Sequence, residues 1–131
     1  MIHIRTYGAH NEGRSGKPNV KRHEISGFKV LQGRDAETND LIVTEMSADD
    51  DYWLHAKGVP GSHVLIKTEG RVPDHQTIEA AARIAAANSR ASGPDVEVVY
   101  CKRKFVSKRP GMKPGEVAVE EANSNKINIR I

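Results

Sequence analysis

Cysteine is almost missing from this chain: Cys101 stands alone among 131 residues. That excludes an internal disulfide and any zinc site built from several thiolates. Aromatic residues are scarce as well, with one tryptophan, two phenylalanines and three tyrosines, too few to interleave with the basic residues as a continuous stacking platform. No apolar run approaches the ~18 to 20 residues of a membrane helix, and the opening MIHIRTYGAH has no signal-peptide core. A cytoplasmic protein without membrane contact is the expectation. A phosphate loop is also missing. GRSGKP (13–18) has Asn11 where the first glycine should stand and Pro18 in the place of the magnesium-binding hydroxyl.

What is present fits one soluble domain with a modest core: 37% hydrophobic and 28% charged residues. The formal charge is only +3 and the pI about 9.1, but its distribution is uneven. Residues 1–34 carry +5, residues 35–99 carry −7, and residues 100–115 carry +6 with no acidic residue. Two basic segments around an acidic middle suit a polyanionic partner such as nucleic acid, and equally suit a solvated surface. Residues 1–26 read as a basic N-terminal arm. Gly8, Gly13, Gly16 and Pro18 interrupt it, leaving an edge strand at Ile2 and Ile4 followed by a loop.

From Phe28 the pattern tightens. FKVLQG (28–33) reads as a strand, GRDAETN (33–39) as a turn and LIVTEM (41–46) as a second strand, together an antiparallel hairpin. Asp74 is placed to cap a helix running through HQTIEAAARIAAANSRAS (75–92), with Ile78, Ala81, Ala82, Ala85 and Ser89 on one face. Ser92, Gly93 and Pro94 end it. VEVVY (96–100) is a strand that Phe105 and Val106 continue, and VAVE and KINIRI supply two more. The fold class is α+β: a mainly antiparallel sheet of about six or seven strands packed against one long Ala-rich helix.

The densest chemistry lies in DDDYWLHAKGVPGSHVLIK (49–67). Alternation puts Asp51, Trp53 and His55 on one strand face and His63 and Lys67 on one face of the next. A hairpin centred on Val59 would oppose His55 to His63, Trp53 to Leu65 and Asp51 to Lys67. Trp53 is a candidate for base stacking or for the core. Asp51, His55 and His63 are the candidate catalytic residues, as acid–base groups or phosphate contacts, against the plainer role of buried hydrogen bonding. Gly61 and Ser62 offer backbone amides to a phosphate or form a plain turn. Lys102, Arg103, Lys104, Lys108, Arg109 and Lys113, joined by Arg34, are the strongest candidates for gripping phosphates. Cys101 beside them is either a strand residue or a thiol activated by its basic neighbours. No metal and no cofactor is assigned.

GRDAETND (33–40), DYWLHAKGVPGSHVLIK (51–67), AARIAAANSR (81–90), VEVVYCKRKFV (96–106) and KPGEV (113–117) follow one another as they do in a known family. The chain resembles NFACT-R over residues 27–131, leaving residues 1–26 uncovered. This is the RNA-binding domain of large proteins of ribosome-associated quality control, RqcH and NEMF among them, some bearing the older label of fibronectin-binding protein. The resemblance implies a standalone form of that domain, with no room for the other regions that grip tRNA and the large ribosomal subunit. It implies an RNA partner, tRNA or rRNA, and contact with the ribosome or an RNA-modifying enzyme. The competing readings are an RNA-processing or thiouridylation-linked enzyme using Asp51, His55 and His63, and an adaptor for such an enzyme. The oligomeric state is left open.

Overall fold

The computed structural model describes residues 2–4 and 19–131. Its main body is a six-stranded antiparallel sheet. The strands are β2 (Val20–Ile25), β3 (Phe28–Gly33), β4 (Tyr52–Ala56), β5 (Val64–Lys67), β6 (Asp95–Lys102) and β9 (Asn125–Arg130), in the order β2-β3-β5-β4-β6-β9. A second antiparallel sheet joins β1 (Ile2–Ile4), β8 (Val117–Val119) and β7 (Val106–Ser107), in the order β1-β8-β7. Two helices complete the fold, α1 (Ala36–Thr44) and α2 (His75–Ala87). The α+β class therefore holds, but with two helices and nine strands among the described residues, split between two sheets.

The helix α2 starts where the sequence places it. Asp74 accepts from the Thr77 amide at 2.8 Å and from its hydroxyl at 2.7 Å, satisfying donors that an uncapped first turn leaves open. Ile78, Ala81, Ala82, Ala85 and Ala86 are buried against Val30, Leu54, Ala56, Val64, Ile66 and Val98. Alanine side chains bring the helix close to the sheet. The helix ends at Ala87 rather than at Ser92: Asn88 is its C-cap, with its amide at 3.1 Å and its Nδ2 at 2.8 Å both donating to the Ile84 carbonyl.

The expected strand at 41–46 is instead the body of α1, so the hairpin of 28–33 with 41–46 does not form. Asp35 is the reason. Its Oδ1 accepts from both the amide and the hydroxyl of Thr38 at 2.7 Å, and Ile42 and Val43 follow at helical spacing to bury under the large sheet. Strand β3 pairs with β2 and β5. Strand β2 lies inside the stretch read as a polar arm, and it turns into β3 through Ser26 and Gly27, both at positive φ (52° and 82°). That is the two-residue hairpin turn whose twist suits neighbouring strands. The strand expected at Ile2 and Ile4 is β1, paired with β8; the loop expected after it falls outside the described residues. Phe105 closes a single 3₁₀ turn, and Val106 enters the smaller sheet.

Two apolar layers result. The α2 layer covers one face of the large sheet. On the other, α1 and the smaller sheet bury Leu31, Trp53, Leu65, Val99 and Cys101. At Gly33 helix α1 comes close against β3. A Cβ there would collide with the Asn39 side chain, which receives the His63 amide on Oδ1 at 3.0 Å. Gly33→Ala is expected to lower the unfolding free energy by about 2–4 kcal/mol, through overpacking and disruption of that buried hydrogen bond. Urea denaturation followed by circular dichroism checks it.

Candidate nucleic-acid interface

The hairpin register read from residues 49–67 is the one observed: Trp53 opposes Leu65 and Leu54 opposes Val64. It brings His55 and His63 together edge to face, ring centroids 5.1 Å apart, and Asp51 within 3.0 Å of Lys67 Nζ. Trp53 completes the group, stacked on His55 at 6.0 Å and edge-on to His63 at 5.3 Å.

This group is sealed. Trp53, His55 and His63 are 0% exposed, and Asp51 and Ser62 only 2%. Gly61 is likewise buried against Ser89 at the end of α2. Trp53 Nε1 donates to His63 Nδ1 at 3.1 Å, which leaves the imidazole hydrogen on His63 Nε2. His55 Nδ1 lies 2.6 Å from the Ala56 carbonyl and Nε2 lies 3.2 Å from the Gly61 carbonyl. Burial pushes the His55 imidazole down from 6.5 to about 4, against the raising effect of those two carbonyls. Burial also holds His63 well below the usual histidine range, reinforced by the positive charges of His55 and Lys108. Asp51 ties the loop before its own strand to the end of β5: it accepts from the amides of Ala48 at 2.8 Å and Thr68 at 2.9 Å. The catalytic role considered for Asp51, His55 and His63 thus falls on side chains that are enclosed in this structure, Asp51 at 2% exposure and both histidines at 0%. The nucleic-acid contacts considered for Trp53, His55, Gly61, Ser62 and His63 fall on the same buried group. Among the described residues no cluster of metal-ligating side chains occurs.

The basic segment divides. Arg103 is structural: its Nε donates to the Val43 carbonyl at 2.6 Å and to Ser47 Oγ at 3.0 Å, and its Nη1 to the Val106 carbonyl at 2.8 Å. It pins α1 to the 3₁₀ turn. Lys108 pairs with Asp40 at 3.0 Å and donates to the carbonyls of Lys113 and Glu116, closing the 108–115 loop onto α1. Lys102 and Lys104 share Asp50 at 3.6 and 3.7 Å, the weak kind of pair that water screens. Arg34, Lys104, Arg109 and Lys113 are exposed. Cys101 is buried at 2% exposure, and burial pushes its thiol up to about 12 despite Arg103 nearby, so it is no activated nucleophile.

One feature has no motif to announce it. The face that carries Trp53 continues outward through β5 and β3 to the edge strand β2. There Arg22, His23, Lys29, Leu31, Met46 and Lys67 line an open cleft of about 270 Å³. Its signal in the sequence is faint, Arg22 of VKRHEI facing Leu31 of FKVLQG with Lys29 two places before it, and it is hidden when the first of these segments is taken for an arm. Among the described residues no helix is long and apolar enough to cross a membrane.

Two outcomes follow from this arrangement. Arg103→Ala is expected to cost about 2–4 kcal/mol, leaving the carbonyls of Val43 and Val106 without a charged donor, whereas Lys104→Ala should stay within about 0.5 kcal/mol; urea denaturation separates them. The histidines give an acid-side effect. Above pH 6.5 His55 is neutral folded or unfolded. Between 6.5 and about 4 the unfolded chain takes up a proton that the folded chain refuses, so stability falls by about 1.4 kcal/mol per pH unit for each such group. Denaturation midpoints at pH 7, 6 and 5 should drop, and His55→Asn should flatten the decline.

Comparison with known proteins places this architecture. The family described as the NFACT protein RNA binding domain matches residues 20–121. The chain is 42% identical over 100 residues to the Rqc2 homolog RqcH of Bacillus subtilis (strain 168), spanning 76% of this chain and 17% of that protein. It is 37% identical over 67 residues to the archaeal Rqc2 homolog aRqcH of Methanocaldococcus jannaschii, spanning 51% of this chain and 10% of that one. The C-terminal structure of the fibronectin/fibrinogen-binding protein of Streptococcus suis superposes on 98% of this chain and 50% of that one, with a TM-score of 0.76 and 27% identity. The chain thus spans less than a fifth of the length of these curated relatives. It belongs to the NFACT protein RNA binding domain family.

Proposed function

We propose that this chain is an RNA-binding module that holds a structured RNA, tRNA or rRNA, by its phosphates in a cytoplasmic, ribosome-associated setting. The observation that carries the reading is the match of residues 20–121 to an RNA-binding domain family. The exposed cations support it. Asp40 on α1 anchors the 108–115 loop through Lys108 at 3.0 Å and the Gly115 amide at 2.9 Å, so Arg109 and Lys113 ride on the helix that Arg34 precedes. A rigidly seated basic loop positions charge against a phosphate backbone without sequence readout, which is the mode suited to shape recognition of RNA. Such a module could serve the ribosome directly or bring RNA to a modifying enzyme. The enzyme reading has less support, because its three residues are buried and each makes hydrogen bonds inside the fold.

Reversing Lys102, Arg103 and Lys104 together would confound binding with folding, given what Arg103 holds. The cleaner variant is Lys104→Glu, Arg109→Glu and Lys113→Glu combined. It is expected to lower tRNA affinity about tenfold or more with an unchanged melting temperature, while the parent's affinity falls steeply between 50 and 200 mM salt. An electrophoretic shift titration at both salts reads this. Affinity indifferent to salt and to the three reversals would overturn the reading.

A further inference from the structure

The cleft on the outer end of the large sheet has a chemistry of its own. Register explains how it forms. Arg22 opposes Leu31 across β2 and β3, and Lys29 opposes Lys67 across β3 and β5, so by alternation these four side chains share the face that carries Trp53. Helix α1 and the smaller sheet cover that face over Trp53, Leu65 and Val99 and, among the described residues, leave its β2 edge open. Leu31 and Met46 supply an apolar floor. Lys67 is a fixed wall, paired with Asp51 at 3.0 Å and donating to the Met46 carbonyl at 2.8 Å. His23 is held by Gln32 at 3.0 Å. Arg22 and Lys29 are exposed and make no ion pair or side-chain hydrogen bond among the described residues.

We propose that this cleft holds one unpaired nucleotide of an RNA, its base against Leu31 and Met46 and its flanking phosphates against Arg22 and Lys29. The proposal rests on the RNA-binding reading and assigns it a second contact, remote from the 108–115 loop. Charge and size select this occupant. Two exposed cations without an ion pair among the described residues, beside an apolar floor, match a ligand that is anionic at one end and flat and weakly polar at the other. About 270 Å³ lies just under the ~300–1,000 Å³ of small-molecule pockets, which suits one base with its ribose rather than a strand. A paired base stays stacked inside its helix and cannot reach the floor; an unpaired one can be splayed out, and the Arg22 guanidinium plane offers it a stacking surface.

The test uses the whole chain and fluorescence anisotropy with three probes: a short single-stranded oligoribonucleotide, the same strand with abasic central positions, and a blunt duplex. Arg22→Glu with Lys29→Glu is expected to weaken the single strand at least tenfold and reduce its salt slope by about two, roughly one for each phosphate no longer neutralised. Met46→Asn, which leaves charge unchanged, should weaken the intact strand several-fold and leave the abasic strand as it was. Melting temperatures confirm that both variants fold. If both cleft variants bind every probe like the parent while the 104/109/113 reversal does not, the cleft proposal fails and the RNA-binding reading stands. If the parent binds no RNA at either salt, both fail. Displacement of the single strand by polyglutamate as readily as by RNA would also overturn the proposal, in favour of an acidic protein partner.

Discussion

The hydrogen bond from Trp53 Nε1 to His63 Nδ1, 3.1 Å long and wholly enclosed, is the constraint on which the rest of this structure depends. A buried indole N–H needs an acceptor, and the imidazole can accept only while neutral. Both groups must therefore stay dry, and the elements around them are arranged to keep them so. Asn39 on α1 accepts the His63 amide, which locks the helix over the hairpin. Asp51 holds the loops at the strand ends through Lys67, Ala48 and Thr68. Arg103 ties α1 to the start of the smaller sheet. With the middle of the face closed in this way, the exposed basic loop and the β2 edge are left at the surface among the described residues.

The hairpin register was legible because alternation admits few pairings once the Pro60-Gly61 turn is placed, and α2 was legible because its cap, alanines and spacing agree. Helix α1 was not. Leu41, Ile42, Val43 and Thr44 favour a strand locally, and the Asp35 cap that overrides them needs Thr38 to be recognised as its partner. Strand β2 is hidden for a related reason: Lys21, Arg22 and His23 look like a solvated arm unless the Ser26-Gly27 turn is seen to join them to β3. Arg103 could not be told from Lys104 in sequence, because what distinguishes them is a set of carbonyls as many as 60 residues away. The histidines illustrate the same limit. Alternation showed that they share a face, but whether a face is covered depends on elements far along the chain.

On the reading proposed above, membership of an RNA-binding domain family does not by itself make the most conspicuous motif the binding site. Trp53, His55 and His63 act as internal polar packing, and the cations that reach solvent lie on either side of them. On this account the motif determines the shape of the domain, and the contacts with RNA occupy what that shape leaves exposed.

Because Trp53 is the only tryptophan, its fluorescence tests this directly. Emission should be blue-shifted, resistant to iodide quenching, and unchanged as the chain is saturated with RNA. Quenching of Trp53 by bound RNA, or protection from iodide that appears only on binding, would show a base stacked on the indole and contradict the account.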